Sequence, residues 1–482
     1  MSSSSRPVPS LSDIAASAML EKGFLPEPPP EALAQAEAAR PAGPQAGLTD
    51  LRALPWTSID NPESRDLDQV EASERLPGGG YRLWVGIADV DHFVPAGSPV
   101  DRFAQHNCTS VYTGARTFPM LPERLSFDLS SLNAGVARRA IVIETVVGAD
   151  GEVGEGKVYA ALLENHAKLD YPSVSAWLDG KGPQPAALAA RTELAAQVEM
   201  QDALAVLLGE GRRRAGALDV DTAAPRAVLD QQGKLVGMAD HHQDRAGNVV
   251  EELMIASNRT VARALDARGL TSIRRVVKAP ERWVKIMKYA AERGHTLPET
   301  PSSLALSKFV ARMRRERAAE FAEISLALVK LMGRGEYIAH RPGTVEVGHF
   351  GLATEQYTHS TAPNRRYVDL ITQRLALSTH AYDEATLATL AARASERAAA
   401  AEKVERRVLK SASAQLLVDR VGEVFDGLIT GASDKGVFVR IFNPAAEGKV
   451  VRGERGLELA SHVKVRLREA DVERGFIDFE AA

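Results

Sequence analysis

SIDNPESRDLDQVEASERLPGGGYRLWVGIADVDHFV, residues 58–94, holds the two features from which the chain is read: an acidic loop and a strand that follows it. The second half, Tyr81 to Val94, is rich in β-branched and aromatic side chains, and Gly78–Gly80 before it is a turn signal. The spacing predicts a strand there and a strand pair at 140–147 and 153–160, turned at Ala149–Gly151. Downstream the texture becomes helical: 188–214 is rich in Ala and Leu, 249–268 repeats apolar residues at helical spacing, and 302–334 and 384–418 follow suit. Strands first and helices later, without regular alternation, predict an α+β domain with a mixed sheet and packed helices.

Outward from that body, residues 421–479 return to short strands punctuated by glycine, the pattern of a small closed β-barrel. Residues 1–50 are rich in Ser, Pro and Ala, with short helices predicted at 11–20 and 31–39. The expected division is 1–50 as a helical segment, 51–415 as the main domain and 416–482 as the barrel.

In the loop itself, Asp60, Asp66 and Asp68 sit among Asn-Pro and Glu-Ser-Arg residues that disfavour helix and strand. Converging carboxylates repel one another unless a hard cation lies between them, and an oxygen-only set suits Mg²⁺, with Mn²⁺ as the alternative. Read by itself the loop fits an exposed acidic turn equally well.

Net charge is −4, which excludes a protein that coats nucleic acid through bulk positive potential and leaves open an enzyme with a local basic channel. One cysteine, Cys108, excludes an internal disulfide and a cysteine-built zinc site. His241, His242, His349 and His359 lack the spacing of a zinc site. No apolar run reaches membrane-spanning length and the first residues lack a secretory pattern, so the expected location is the cytoplasm.

Five collinear segments carry a resemblance. They are SIDNPESRDLDQ at 58–69, RLWVGIADVDHFVPAGSPVDRFA at 82–104 and TSVYTGARTFPMLPERLSFDLSSLN at 109–133, then AKLDYPSVSAWL at 167–178 with VVEELMIASNRTVA at 249–262, and HFGLATEQYTHSTAPNRRYVDLITQRL at 349–375. In that order they resemble the RNB catalytic domain of the ribonuclease II/ribonuclease R family, and the C-terminal barrel resembles the ribosomal-protein-S-one type of OB-fold. The resemblance implies a 3′-to-5′ hydrolytic exoribonuclease that shortens single-stranded RNA with a free 3′ end, processively, to nucleoside 5′-monophosphates in a carboxylate-lined tunnel. No membrane and no obligate protein partner are expected.

By the same resemblance, Asp60, Asp66 and Asp68 are the metal-binding and catalytic carboxylates, and Gln69 stands where many members have a fourth aspartate. Arg365 is the arginine that grips the scissile phosphate, with Arg366 beside it; a guanidinium fork can hold two phosphoryl oxygens at once. Tyr112 and Tyr171 match positions that stack on or position bases, and Glu251 and Glu252 match paired glutamates of which one bonds a ribose hydroxyl. Glu405 matches a further active-site glutamate, although its place in a charged helix favours a solvated helix face. Phe425, Phe438 and His462 are candidate RNA contacts on the barrel, with Phe425 also read as core. The family usually carries cold-shock barrels ahead of this domain, and residues 1–50 are expected to supply a substitute RNA contact. A competing reading keeps the fold and RNA binding without catalysis, motivated by Gln69; a phosphatase using the same loop is another.

Overall fold

The computed structural model describes residues 9–41, 48–189, 191–220, 224–229, 235–241, 244–433, 436–459 and 461–482. His242 and the side chain of His241 lie outside that description.

Two short helices, α1 (Leu11–Glu21) and α2 (Pro30–Ala38), precede a seven-stranded sheet. Its first strands are β1 (Thr49–Asp50), β2 (Thr57–Asp60), β3 (Gln69–Arg75) and β4 (Tyr81–Ala88). Helix α3 (Pro99–Asn107) and a separate hairpin, β5 (Val111–Tyr112) with β6 (Thr117–Phe118), follow. The sheet resumes with β7 (Ala137–Val147), β8 (Val153–Glu164) and β9 (Ala167–Asp170), in spatial order β1-β8-β7-β4-β3-β2-β9. Strand β4 is buried almost throughout, which its sequence YRLWVGIA requires of a central strand covered on both faces. Added bulk is excluded there: a Cβ on Gly86 would lie 2.4 Å from Leu163 Cδ2 and 3.0 Å from Val70 Cγ2.

Helices α4 (Tyr171–Leu178), α5 (Ala186–Ala189), α6 (Thr192–Ala215) and α7 (Arg245–Ala267) come next, with the hairpin β10 (Ala224–Leu229) and β11 (Leu235–His241) between the last two. A two-stranded sheet joins β12 (Ser272–Val276) to β13 (Glu336–His340) and encloses α8 (Trp283–Ala291), α9 (Ser303–Glu316) and α10 (Phe321–Leu331) in the chain. The single helix expected over 302–334 is thus broken. Arg317 leaves the helical region at φ −134°, and Phe321 turns back to join a buried cluster with Trp283, Phe309 and Met313. That packing favours two short helices over one long one exposing the same apolar face.

Helix α11 (Tyr367–Leu377) leads into α12 (Glu384–Leu417), 34 residues long, and then into a closed five-stranded barrel. The barrel strands are β14 (Val424–Ser433), β15 (Gly436–Phe442), β16 (Ala445–Arg452), β17 (His462–Asp471) and β18 (Phe476–Ala481). Helix α12 contributes to three buried clusters in turn: Leu387 to Ala394 to the main core, Ala401 to Val408 to a cluster with α1, and Ala414 and Leu417 to the barrel core. Among the described residues no helix is long and apolar enough to cross a membrane.

The N-terminal helices are packed elements. Ala15, Ala18 and Met19 of α1, with Phe24, bury against α12 and the β5–β6 hairpin. Arg397 of α12 caps the end of α1 through the carbonyls of Lys22 and Gly23 and stacks on Phe24 at 4.0 Å.

Candidate active site

The acidic loop is held open by ties at both ends. Lys168 of β9 donates to the carbonyls of Pro62 and Ser64, and Arg65 stacks on Phe127 at 4.6 Å. Ser131 donates to the Arg65 carbonyl at 2.8 Å and accepts from the Leu67 amide at 3.0 Å. These ties fix the backbone on either side of Asp66.

Each aspartate then has its own partners. Asp60, the last residue of β2, accepts through Oδ1 from the Asn61 amide at 2.7 Å and from Ser64 Oγ at 2.8 Å. Burial nonetheless holds its carboxyl above the ordinary range, with Arg365 pulling it down and Asp66 pushing it up. Asp66 accepts through Oδ2 from the Tyr112 hydroxyl at 2.6 Å. Asp68 is 2% exposed and accepts from the Asn364 amide at 2.9 Å and from Arg365 Nε at 3.2 Å. Burial pushes its carboxyl up to about 7, against the pull of Arg365. The structure therefore brings Asp60, Asp66, Asp68 and Arg365 into one electrostatic neighbourhood.

It does not bring the three carboxylates into a closed ligand shell. Among the described residues, the trio with ligand atoms all within 4.8 Å of one another is Asp266, His340 and Glu346. A cation already serves that trio: Arg274, 1% exposed, pairs with Asp266 and lies 4.0 Å from Glu346. At the acidic loop, mutual repulsion and three separate sets of donors keep the aspartates apart.

The Arg365 side chain is 43% exposed, so its guanidinium has room for a further partner beyond Asp68. Its backbone is fixed, since its carbonyl accepts from the Ser110 amide at 3.0 Å and from Thr109 Oγ1 at 3.2 Å. Arg366 is turned the other way into a two-point pair with Asp369, at 2.9 and 2.7 Å. Tyr112 lies on the β5–β6 hairpin, 41% exposed, and its amide donates to Glu405 Oε1 at 3.2 Å. Glu405 is half-buried against that hairpin and burial raises its carboxyl, so it is not part of a solvated helix face. Tyr171 begins α4 beside the end of β2, and its hydroxyl feels both Asp60 and a residue that sequence reasoning missed, Glu71. Glu71 is 1% exposed, and burial followed by the charge of Asp60 pushes its carboxyl up to about 8. Its signal was local: it lies two residues from Gln69 on the same face of β3.

Glu252 forms a two-point pair with Arg212, while Glu251 is part-exposed on the same helix and its charge bears on Tyr357. On the barrel, Phe425 is core at 7% exposed, Phe438 is half-buried with Lys410 5.8 Å from its ring, and His462 is exposed 3.5 Å from Glu323.

A body of this topology, presenting an arginine-linked carboxylate cluster and followed by an OB-type barrel, belongs to the RNB family of ribonuclease II-type proteins. The RNB domain matches residues 48–380, and the RNase II-type exonuclease C-terminal S1 domain matches residues 423–482. The chain is 30% identical over 488 residues to ribonuclease R 1 of Lactococcus lactis, covering 94% of this chain and 59% of that protein. To ribonuclease R of Thermotoga maritima it is 30% identical over 508 residues, covering 96% and 69%. The fold matches Mycoplasma genitalium RNase R, solved in complex with ribose methylated single-stranded RNA, at a TM-score of 0.87 and 22% identity, over 98% of this chain and 78% of that one. The chain thus spans less than two thirds of the Lactococcus relative.

Proposed function

We propose that the protein is a 3′-to-5′ hydrolytic exoribonuclease that shortens single-stranded RNA from a free 3′ end, releasing nucleoside 5′-monophosphates. The observation that carries this reading is the contact between buried Asp68 and half-exposed Arg365, flanked by Asp60, Asp66 and Tyr112. Arg365 has its backbone fixed and its guanidinium available to hold two phosphoryl oxygens as charge builds on them. Tyr112 offers its ring to the 3′-terminal base while Asp66 fixes its hydroxyl; Tyr171 borders the Asp60 side. One of the paired glutamates, Glu251 or Glu252, meets a ribose hydroxyl in this reading, and Glu252 is also paired with Arg212.

The donor set fits a hard divalent cation, because it consists only of carboxylate and amide oxygens and includes the buried carboxylate of Asp68. Asp60, Asp66, Asp68 and Gln69 would hold Mg²⁺ or Mn²⁺, which when bound activates water and offsets phosphate charge. Residues 51–415 form the catalytic unit in this reading, 416–482 grip the upstream strand and 1–50 add a contact near the hairpin. The protein acts in RNA turnover or processing in the cytoplasm.

Incubating the purified chain with 5′-labelled single-stranded RNA and Mg²⁺ tests the proposal. Ladder-like shortening that a 3′ block prevents is the expected result. RNA binding with no shortening would favour instead the non-catalytic reading for which neutral Gln69 is the motive.

A further inference from the structure

We infer that Glu71 supplies a carboxylate oxygen to the cation site, from the face of β3 that also carries Gln69. The inference rests on the cation reading given above and adds to it a residue that lies outside the acidic loop.

Strand β3 alternates between two environments. Val70 and Ala72 face the main core, where Val70 meets Gly86 and Trp56. Gln69, Glu71 and Ser73 face the other way, where Gln197 of α6 bonds the amide, hydroxyl and carbonyl of Ser73. Successive residues on one face of a strand are about 6.7 Å apart along it. Glu71 is therefore one pleat along from Gln69 on the same face.

The reason to assign it a ligand is that its charge is unanswered. Both carboxylate oxygens are buried without a hydrogen-bond partner, and Gln201 of α6 donates to the Glu71 backbone carbonyl instead. The charged group acting on Glu71 is Asp60, another carboxylate, and the Tyr171 hydroxyl lies within the field of both. A fully buried carboxylate with no donor on either oxygen is unfavourable unless a cation or a proton neutralises it. Gln69 on the same face is neutral, so Glu71 brings that face a charge that Gln69 does not.

The test measures cation binding by the full chain in the absence of RNA. Isothermal titration with Mn²⁺ is run on the wild type, Glu71→Gln, Asp66→Asn, and Glu71→Gln combined with Gln69→Asp. Glu71→Gln is expected to weaken Mn²⁺ binding roughly tenfold or more, the scale seen when metal-site partners are removed, and Gln69→Asp is expected to restore most of the loss. Wild-type Mn²⁺ affinity in Glu71→Gln, with Asp66→Asn weakened, overturns the role of Glu71 and leaves the cation reading standing. Wild-type affinity in both variants removes the cation site altogether. Should Glu71→Gln not fold, Glu71→Asp keeps the charge and shortens the reach; weakened Mn²⁺ binding in the folded variant supports the assignment and unchanged binding overturns it.

Discussion

At Asp68, a carboxylate is buried and still joined to the arginine best placed to meet a phosphate. Replacing its charge while keeping its shape separates the two roles of the site. Asp68→Asn is expected to lower the rate of RNA shortening by about a hundred- to a thousandfold, the scale on which lost electrostatic preorganisation acts, while RNA affinity changes little. Single-turnover cleavage and filter binding on the same preparation check both halves. Tyr112 carries the complementary prediction. Tyr112→Ala removes a base-stacking ring and is expected to weaken binding of short 3′ ends by about 1–3 kcal/mol. Tyr112→Phe keeps the ring, loses the bond to Asp66 and should bind short RNA like the wild type. Equal weakening in both variants would assign the effect to Asp66 instead of stacking.

Among elements, the loop of residues 349–360 carries a built-in sensitivity to acid. His349 accepts a bond from the Leu352 amide through Nδ1, and burial together with the charge of Arg275 pushes its imidazole down to about 4. His359, buried beside the Tyr337 hydroxyl, is likewise held well below the ordinary histidine value. Because the folded values lie below the unfolded ones, the stability is fully present above pH 6.5 and is lost as pH falls toward 4. For His349 alone the loss is about 2 kcal/mol by pH 5. Between pH 7.5 and pH 5, His349→Gln should lose about 2 kcal/mol less stability than the wild type, read from denaturant midpoints; a pH difference identical to the wild type's would remove His349 as a cause. Arg397 is the second lever at this scale. Arg397→Ala uncaps α1 and exposes the Phe24 face, with an expected cost of about 1–3 kcal/mol read by thermal melting. The elements also show what sequence could reveal. The strand at 81–88 was legible because both faces of a central strand demand apolar side chains, and the pair expected at 140–147 and 153–160, found at 137–147 and 153–164, was legible from the Ala-Asp-Gly turn between its strands. Strand β3, QVEASER, was not, because its polar face is buried against glutamines of α6 that lie far away in the chain. The spacing of Asp66 and Asp68 pointed to the site, whereas the Asn364 amide that holds Asp68 leaves no local signal. The break at Arg317 has no Gly or Pro to announce it and comes from the packing of Phe321.

For the whole molecule, the barrel is anchored to the body by the end of α12, whose Ala414 and Leu417 are fully buried in the barrel core. Ending the chain at about residue 416 is expected to weaken RNA binding and to flatten its dependence on salt, because basic contacts to phosphate go with the barrel. Binding measured from low to moderate salt checks this, and an identical slope would mean that the barrel does not touch RNA. The 34 residues of α12 make a rod of about 51 Å that meets three hydrophobic clusters in succession. A load taken up by the barrel is therefore delivered along one stiff lever, past the N-terminal helix and the Tyr112 hairpin, into the central sheet. In the reading proposed above, a pull on RNA gripped by the barrel would reach the core that carries the acidic loop through this one helix.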